Sequence, residues 1–82
     1  MKEQELVEKI VKSLVKDQDA ISVKTFEGNE EEAPTIEVLI KEEDMGRVIG
    51  KGGKTAHAIR TLVQACSAIN NHKYVKVNFD KF

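Results

Sequence analysis

Three of the chain's five glycines fall within four residues, Gly50, Gly52 and Gly53, with Lys51 between them. The sequence reads as helix on either side. Met45, Val48 and Ile49 precede the cluster, and an apolar stripe of Ala56, Ile59, Leu62, Val63, Cys66 and Ile69 follows it from a start near Lys54. One continuous helix cannot run through such a cluster, because each interior glycine costs roughly 1 kcal/mol relative to alanine. The chain must therefore turn here between two helices, with Gly50 and Gly53 free to take positive φ and Lys51 and Lys54 supplying cations. Amides in such a turn point outward. A phosphate meeting them finds free N–H donors and the positive end of the dipole of the 54–70 helix, an anion site without any catalytic group. A plain helix-to-helix turn needs one glycine and no lysine.

The remaining elements follow from periodicity. Leu6, Val7, Ile10, Val11, Leu14 and Val15 recur at helical spacing, and Glu5–Lys9 and Glu8–Lys12 form i,i+4 pairs on the outside. Asp17 to Asp19 break this helix, and Ile21 to Phe26 alternates as a strand through Ile21, Val23 and Thr25. Glu27 to Pro34 is a polar loop with three consecutive glutamates. Ile36, Val38 and Ile40 alternate in a second strand, and Asp44 stands where it can cap the short helix of Met45 to Ile49. Asn70 and Asn71 end the last helix before a third strand with Val75, Val77 and Phe79 on one face. The order α-β-β-α-α-β implies an α+β two-layer sandwich, with three helices on one face of a three-stranded sheet. Strands 2 and 3, joined by a helical crossover, are expected parallel, and strands 1 and 2 antiparallel, giving a mixed sheet of underivable order.

Composition closes other routes. Eighty-two residues at 40% apolar and 33% charged suit one domain, 1–82, without room for a second core. No run approaches the roughly 18 apolar residues of a membrane helix, and Met1 to Glu8 alternates charges where a signal peptide is apolar, so a cytoplasmic location and no membrane partner are expected. One cysteine, Cys66, excludes an intrachain disulfide, and with only His57 and His72 neither a metal site nor another cofactor is expected. No nucleophile with a base and no acid pair assembles, so neither an enzyme nor a small-molecule substrate is expected.

The net charge of −1 conceals a segregation. Residues 1–44 hold six lysines against 13 acids, whereas residues 45–79 hold Arg47, Lys51, Lys54, Arg60, Lys73 and Lys76 and no acid. Local potential rather than the sum governs docking, so one electropositive face is expected unless folding mixes the halves again. Two phosphate motifs fail on counting. Gly53-Lys54-Thr55 looks like the tail of a Walker A motif, but the first glycine would fall at Val48 and no strand precedes the loop. A dinucleotide Gly-x-Gly-x-x-Gly fails at Thr55.

The stretch from Asp44 to Thr55, continuing to Ile59 and Arg60, resembles the core of the KH domain with its apolar-Ile-Gly-x-x-Gly signature. The element order is similar to the type II KH fold, and the whole chain, with Ala58 to Val63 reading Ala-Ile-Arg-Thr-Leu-Val, resembles the KhpA (YlqC) family of small bacterial single-KH proteins. That resemblance implies a cytoplasmic single-stranded RNA-binding protein, an RNA chaperone or post-transcriptional regulator connected with cell shape. Its glycine loop would clamp the backbone of about four nucleotides. Carried onto this chain, Gly50, Lys51, Gly52 and Gly53 are the clamp, and Val48 and Ile49 wall an apolar base groove. Ile36 and Val38 of strand 2 and the 27–34 loop form its other side, and Arg47, Lys54 and Arg60 steer phosphates. His57 shares the face of Arg60, Gln64 and Ser67, though an ordinary exposed role suits it better.

Glu27 and Glu30 to Glu32 would repel a phosphate chain and make affinity modest and salt-sensitive. No aromatic is placed for base stacking, since Phe26, Tyr74, Phe79 and Phe82 lie on or beside strands, which also speaks against an RRM. Ala58, Thr61, Ala65 and Ala68 form a stripe of small residues that either packs on the first helix or admits a partner helix. The resemblance implies a homodimer, or a heterodimer with a larger KhpB (Jag-type) RNA-binding protein. A KH-shaped scaffold for another protein, with weak RNA binding, is the alternative function.

Overall fold

Valines four residues apart set the first helix against the core. The computed structural model describes residues 2–28, 33–69 and 74–82, and in it α1 (Lys2–Leu14) buries Val7 and Val11 while Val15 follows past its end. Ile10 and Leu14 pack half-buried on the same cluster, and Lys12 Nζ pairs with Glu8 on the outside at 3.1 Å. The valine ridge continues backwards to Glu3, which is fully buried in the first turn, where the helix dipole favours a negative charge.

Strand β1 (Ile21–Phe26) pairs antiparallel with β2 (Thr35–Ile40), which pairs parallel with β3 (Lys76–Lys81) in the order β1-β2-β3. The central strand contributes Ile36, Val38 and Ile40, all without exposed surface. A parallel pair cannot close through a tight turn, so the β2 to β3 connection crosses over, and it carries α2 (Met45–Ile49) and α3 (Lys54–Ile69). Val48 from α2 and Ala56, Ile59 and Val63 from α3 complete the core beneath the helices. The opposite face of the sheet is polar in its middle row, where Lys24, Glu37 and Asn78 lie side by side in register. The α+β sandwich with a mixed sheet, expected from element order, is therefore present, and β2 takes the centre.

Three expectations are corrected. Leu62 and Ile69 stay 50% and 81% exposed, and the buried line of α3 runs through Ala56, Ile59, Val63 and Ser67. The apolar arc of this helix is wider than the arc its neighbours cover, so the line that packs takes in a serine and leaves two large apolar residues out. Ser67 thus leaves the polar face on which it was expected beside His57, Arg60 and Gln64. Asp44 does not cap α2. Its backbone is already helical (φ −97°, ψ −6°) at the end of a 3₁₀ turn, Glu42–Asp44, so its side chain cannot fold back over the first amides. The buried carboxylate instead accepts the Lys16 amide at 3.4 Å and pairs with Arg47 Nε at 3.6 Å, joining the end of α1 to α2. The expected cap at Asn70 and Asn71, together with His72, Lys73, Asn29 and Glu30 to Glu32, lies outside the described residues.

Candidate nucleic-acid interface

The glycine turn has the geometry that its composition requires. Gly50, Gly52 and Gly53 all have positive φ, at 77°, 66° and 78°. At Gly50 (ψ 171°) a Cβ would collide with the Thr55 side chain, 2.8 Å from its Cβ, so both conformation and space demand glycine. Around Gly52 and Gly53 nothing lies within 4 Å of such a Cβ, so the turn presents an open surface. Gly50 N donates to Gly46 O at 3.0 Å and Gly53 N to Gly50 O at 3.2 Å, while Lys54 N donates to Lys51 O. Lys51 and Gly52, at the apex of the turn, are exposed. Lys51 and Lys54 are exposed on either side, and α3 starts at Lys54 with its dipole directed at the same point.

The other residues singled out in the sequence divide. Arg47 is exposed but tied to Asp44, and it lines a groove of about 700 Å³ with Lys16, Asp17, Lys41 and Glu43. In that groove Lys41 Nζ pairs with Asp17 at 2.9 Å and Arg47 with Asp44, and four carboxylates share the lining. Arg60 is exposed on α3, where its Nε donates to Val77 O at 3.2 Å and its guanidinium lies over the Phe79 ring, 5.3 Å from the centroid. Ile36 and Val38, expected to wall a groove, have no exposed surface, and neither has Val48. Their side chains fill the core beneath α2 and α3 and cannot touch a base. Ile49 is half-buried next to the turn, and His57 is exposed. Ala58, Thr61, Ala65 and Ala68 are all exposed rather than packed on α1.

Residues 4–79 match the family described as KhpA/KhpB, KH domain. The chain belongs to the KhpA/KhpB KH-domain family. It is 47% identical over 73 residues to the RNA-binding protein KhpA of Caldanaerobacter subterraneus, covering 89% of this chain and 93% of that protein. Identity to the RNA-binding protein KhpA of Clostridium perfringens is 46% over 71 residues, covering 87% and 92%. The Borreliella burgdorferi KhpA is 42% identical over 69 residues, covering 84% of this chain and 82% of its own. Aquifex aeolicus Era bound to GDP·AlF4 has a TM-score of 0.71 at 19% identity, and so has Era in complex with MgGDPNP and nucleotides 1506–1542 of 16S ribosomal RNA. Each match covers 98% of this chain and 30% of the Era chain, and it is a likeness of fold.

Within this KH domain, the sequence places Gln64 on a polar face of α3 but does not reveal its contact with the chain entering β3. Its side-chain amide donates to Val75 O and accepts from Val75 N at 3.2 Å, taking the place of a neighbouring strand at the start of β3. Position i+4 from Arg60, which reaches Val77 O in the same way, was the available signal.

Proposed function

We propose that this chain binds single-stranded RNA, with the Gly50–Gly53 turn closing on the sugar–phosphate backbone. The observation that carries the reading is the turn itself: three positive-φ glycines, an exposed apex at Lys51 and Gly52, and flanking exposed lysines at a helix N-terminus. Relatives named RNA-binding protein KhpA support it. Lys51 and Lys54 supply the cations of the clamp, and Ile49 supplies apolar surface beside it. The backbone is held without base edges being read, so recognition is of a flexible strand rather than of a fixed sequence. Such binding suits an RNA chaperone or post-transcriptional regulator in the cytoplasm, not an enzyme.

The test is the double substitution Lys51→Asp with Gly52→Asp. Gly52 is open to solvent and left-handed, a conformation that aspartate tolerates better than most residues, so the fold is expected to survive. RNA retention is expected to fall to background while the circular dichroism spectrum stays that of the wild type. Retention that survives the charge reversal overturns the clamp.

A second surface favours a partner. Ala58, Thr61, Leu62, Ala65, Ala68 and Ile69 make a contiguous exposed face on α3, with small residues along its middle and two large apolar side chains at its edge. Small side chains allow another helix to approach closely. In this reading a second copy, or a KhpB-type RNA-binding protein, packs there. A KH-shaped scaffold that acts chiefly through this face is the alternative to RNA binding.

A further inference from the structure

The chain holds three phenylalanines, one tyrosine and no tryptophan. Phe26, Tyr74 and Phe82 are exposed, whereas Phe79 is half-buried on the inner face of β3, in register with Val38 and Val23. The Arg60 guanidinium lies over the Phe79 ring at 5.3 Å. The same side chain donates from Nε to Val77 O at 3.2 Å. A residue that merely steers phosphates gains from a freely swinging charge; these two contacts instead fix the guanidinium in one place. Arg60 nevertheless stays exposed.

The position suits a strand held at the glycine turn. Helix α3 leaves that turn at Lys54, and Arg60 follows six residues later, about 9 Å along the axis at 1.5 Å per residue. Gln64 meets Val75 and Arg60 meets Val77, so α3 and β3 run in opposite directions, and Phe79 lies on the loop side of Arg60. The pair thus stands in the trough between α3 and β3, within the span of the roughly four nucleotides that such a turn clamps.

We infer that Arg60 and Phe79 form a base-stacking platform: the ring holds the guanidinium plane, and the plane's free face takes one base of the clamped strand. The inference rests on the RNA-binding reading above. Guanidinium planes stack on bases of any identity, because every base has a π-face, and stacking is nearly independent of salt, unlike a phosphate contact.

Arg60→Lys keeps the charge and loses the plane, while Arg60→Gln keeps a small plane and loses the charge. Affinity is measured against a short fluorescein-labelled single-stranded RNA of mixed sequence and against an abasic strand of the same length, over a series of salt concentrations. On the base-containing RNA, Arg60→Lys is expected to bind about tenfold more weakly with an unchanged salt slope. On the abasic strand it is expected to match the wild type. The platform is overturned by a loss that persists on the abasic strand, or by no loss in Arg60→Lys. An Arg60→Gln variant whose log–log slope is shallower by about 0.7 identifies a phosphate contact instead and overturns it equally. Failure of the RNA-binding reading looks different: the wild type itself does not bind, or the Lys51→Asp, Gly52→Asp variant still does.

Discussion

Gly50 bears the heaviest constraint of any single residue. Its φ of 77° with ψ of 171° is a region that essentially only glycine enters, at a cost of about 1–3 kcal/mol for other residues, and Thr55 also occupies the space of a side chain. Gly52, with ψ of 17°, is plainly left-handed and unobstructed. Gly50→Ala is therefore expected to lower the urea unfolding midpoint by more than Gly52→Ala, whose cost is about 1–2 kcal/mol. Equal losses would mean that the Thr55 contact is relieved by movement of α3. The turn was legible in the sequence because three glycines and two lysines have few other uses. Glu3 was not, since a glutamate in a charged first turn reads as solvated; only its position four residues before Val7 and eight before Val11 betrays it. Phe79 was read as packing alone because no periodicity records that an arginine on another element reaches over its ring.

At the scale of elements, the turn between α1 and β1 is fastened to the end of β2 by one ion pair. Lys41 Nζ lies 2.9 Å from Asp17 Oδ2, and Asp17 also accepts the Asp19 amide at 3.2 Å. The hydrogen bond and charge of Lys41 hold the Asp17 carboxyl below the usual carboxylate range, and Asp17 in turn holds the Lys41 amine above the usual lysine range. A lowered carboxyl stabilises the fold above its unfolded-state value and loses that contribution as pH falls through the folded one. A raised amine stabilises below its unfolded-state value and loses the contribution as pH rises past the folded one. The pair therefore contributes across the neutral range and fails at both extremes. Urea midpoints measured against pH are expected to fall more steeply for the wild type than for Asp17→Asn on acidification through the carboxylate range, with the variant the less stable at neutral pH. Parallel acid limbs would remove this role. Strand limits and pairing senses were legible because alternation and crossover length dictate them. The seat of α3 was not: its apolar residues span a wide arc, and only the sheet and α1 decide which part is buried.

Over the whole molecule, the basic half of the chain is not uniformly available. Arg47 is tied to Asp44 and Arg60 to β3, which leaves Lys51 and Lys54 as the exposed cations that flank the turn. Modest and salt-sensitive binding by one copy is the expectation. The exposed face of α3 carries a separate prediction. Thr61→Arg places a long charged side chain in the middle of the small-residue stripe, away from both the core line and the β3 contacts. A wild type that measures as a dimer by light scattering is expected to become monomeric with unchanged thermal stability of the protomer fold, whereas an unchanged mass would move the association surface elsewhere. Arg60 and Gln64 face β3 about a third of a turn from this stripe, so the two faces do not overlap on the helix. Two copies joined along α3 would hold two glycine turns at a fixed separation, and a transcript released by one would still be tethered by the other. The second contact then forms at a high effective concentration set by that separation, so avidity can exceed either single affinity by about 10²-fold or more for RNAs long enough to span both, while shorter fragments exchange freely.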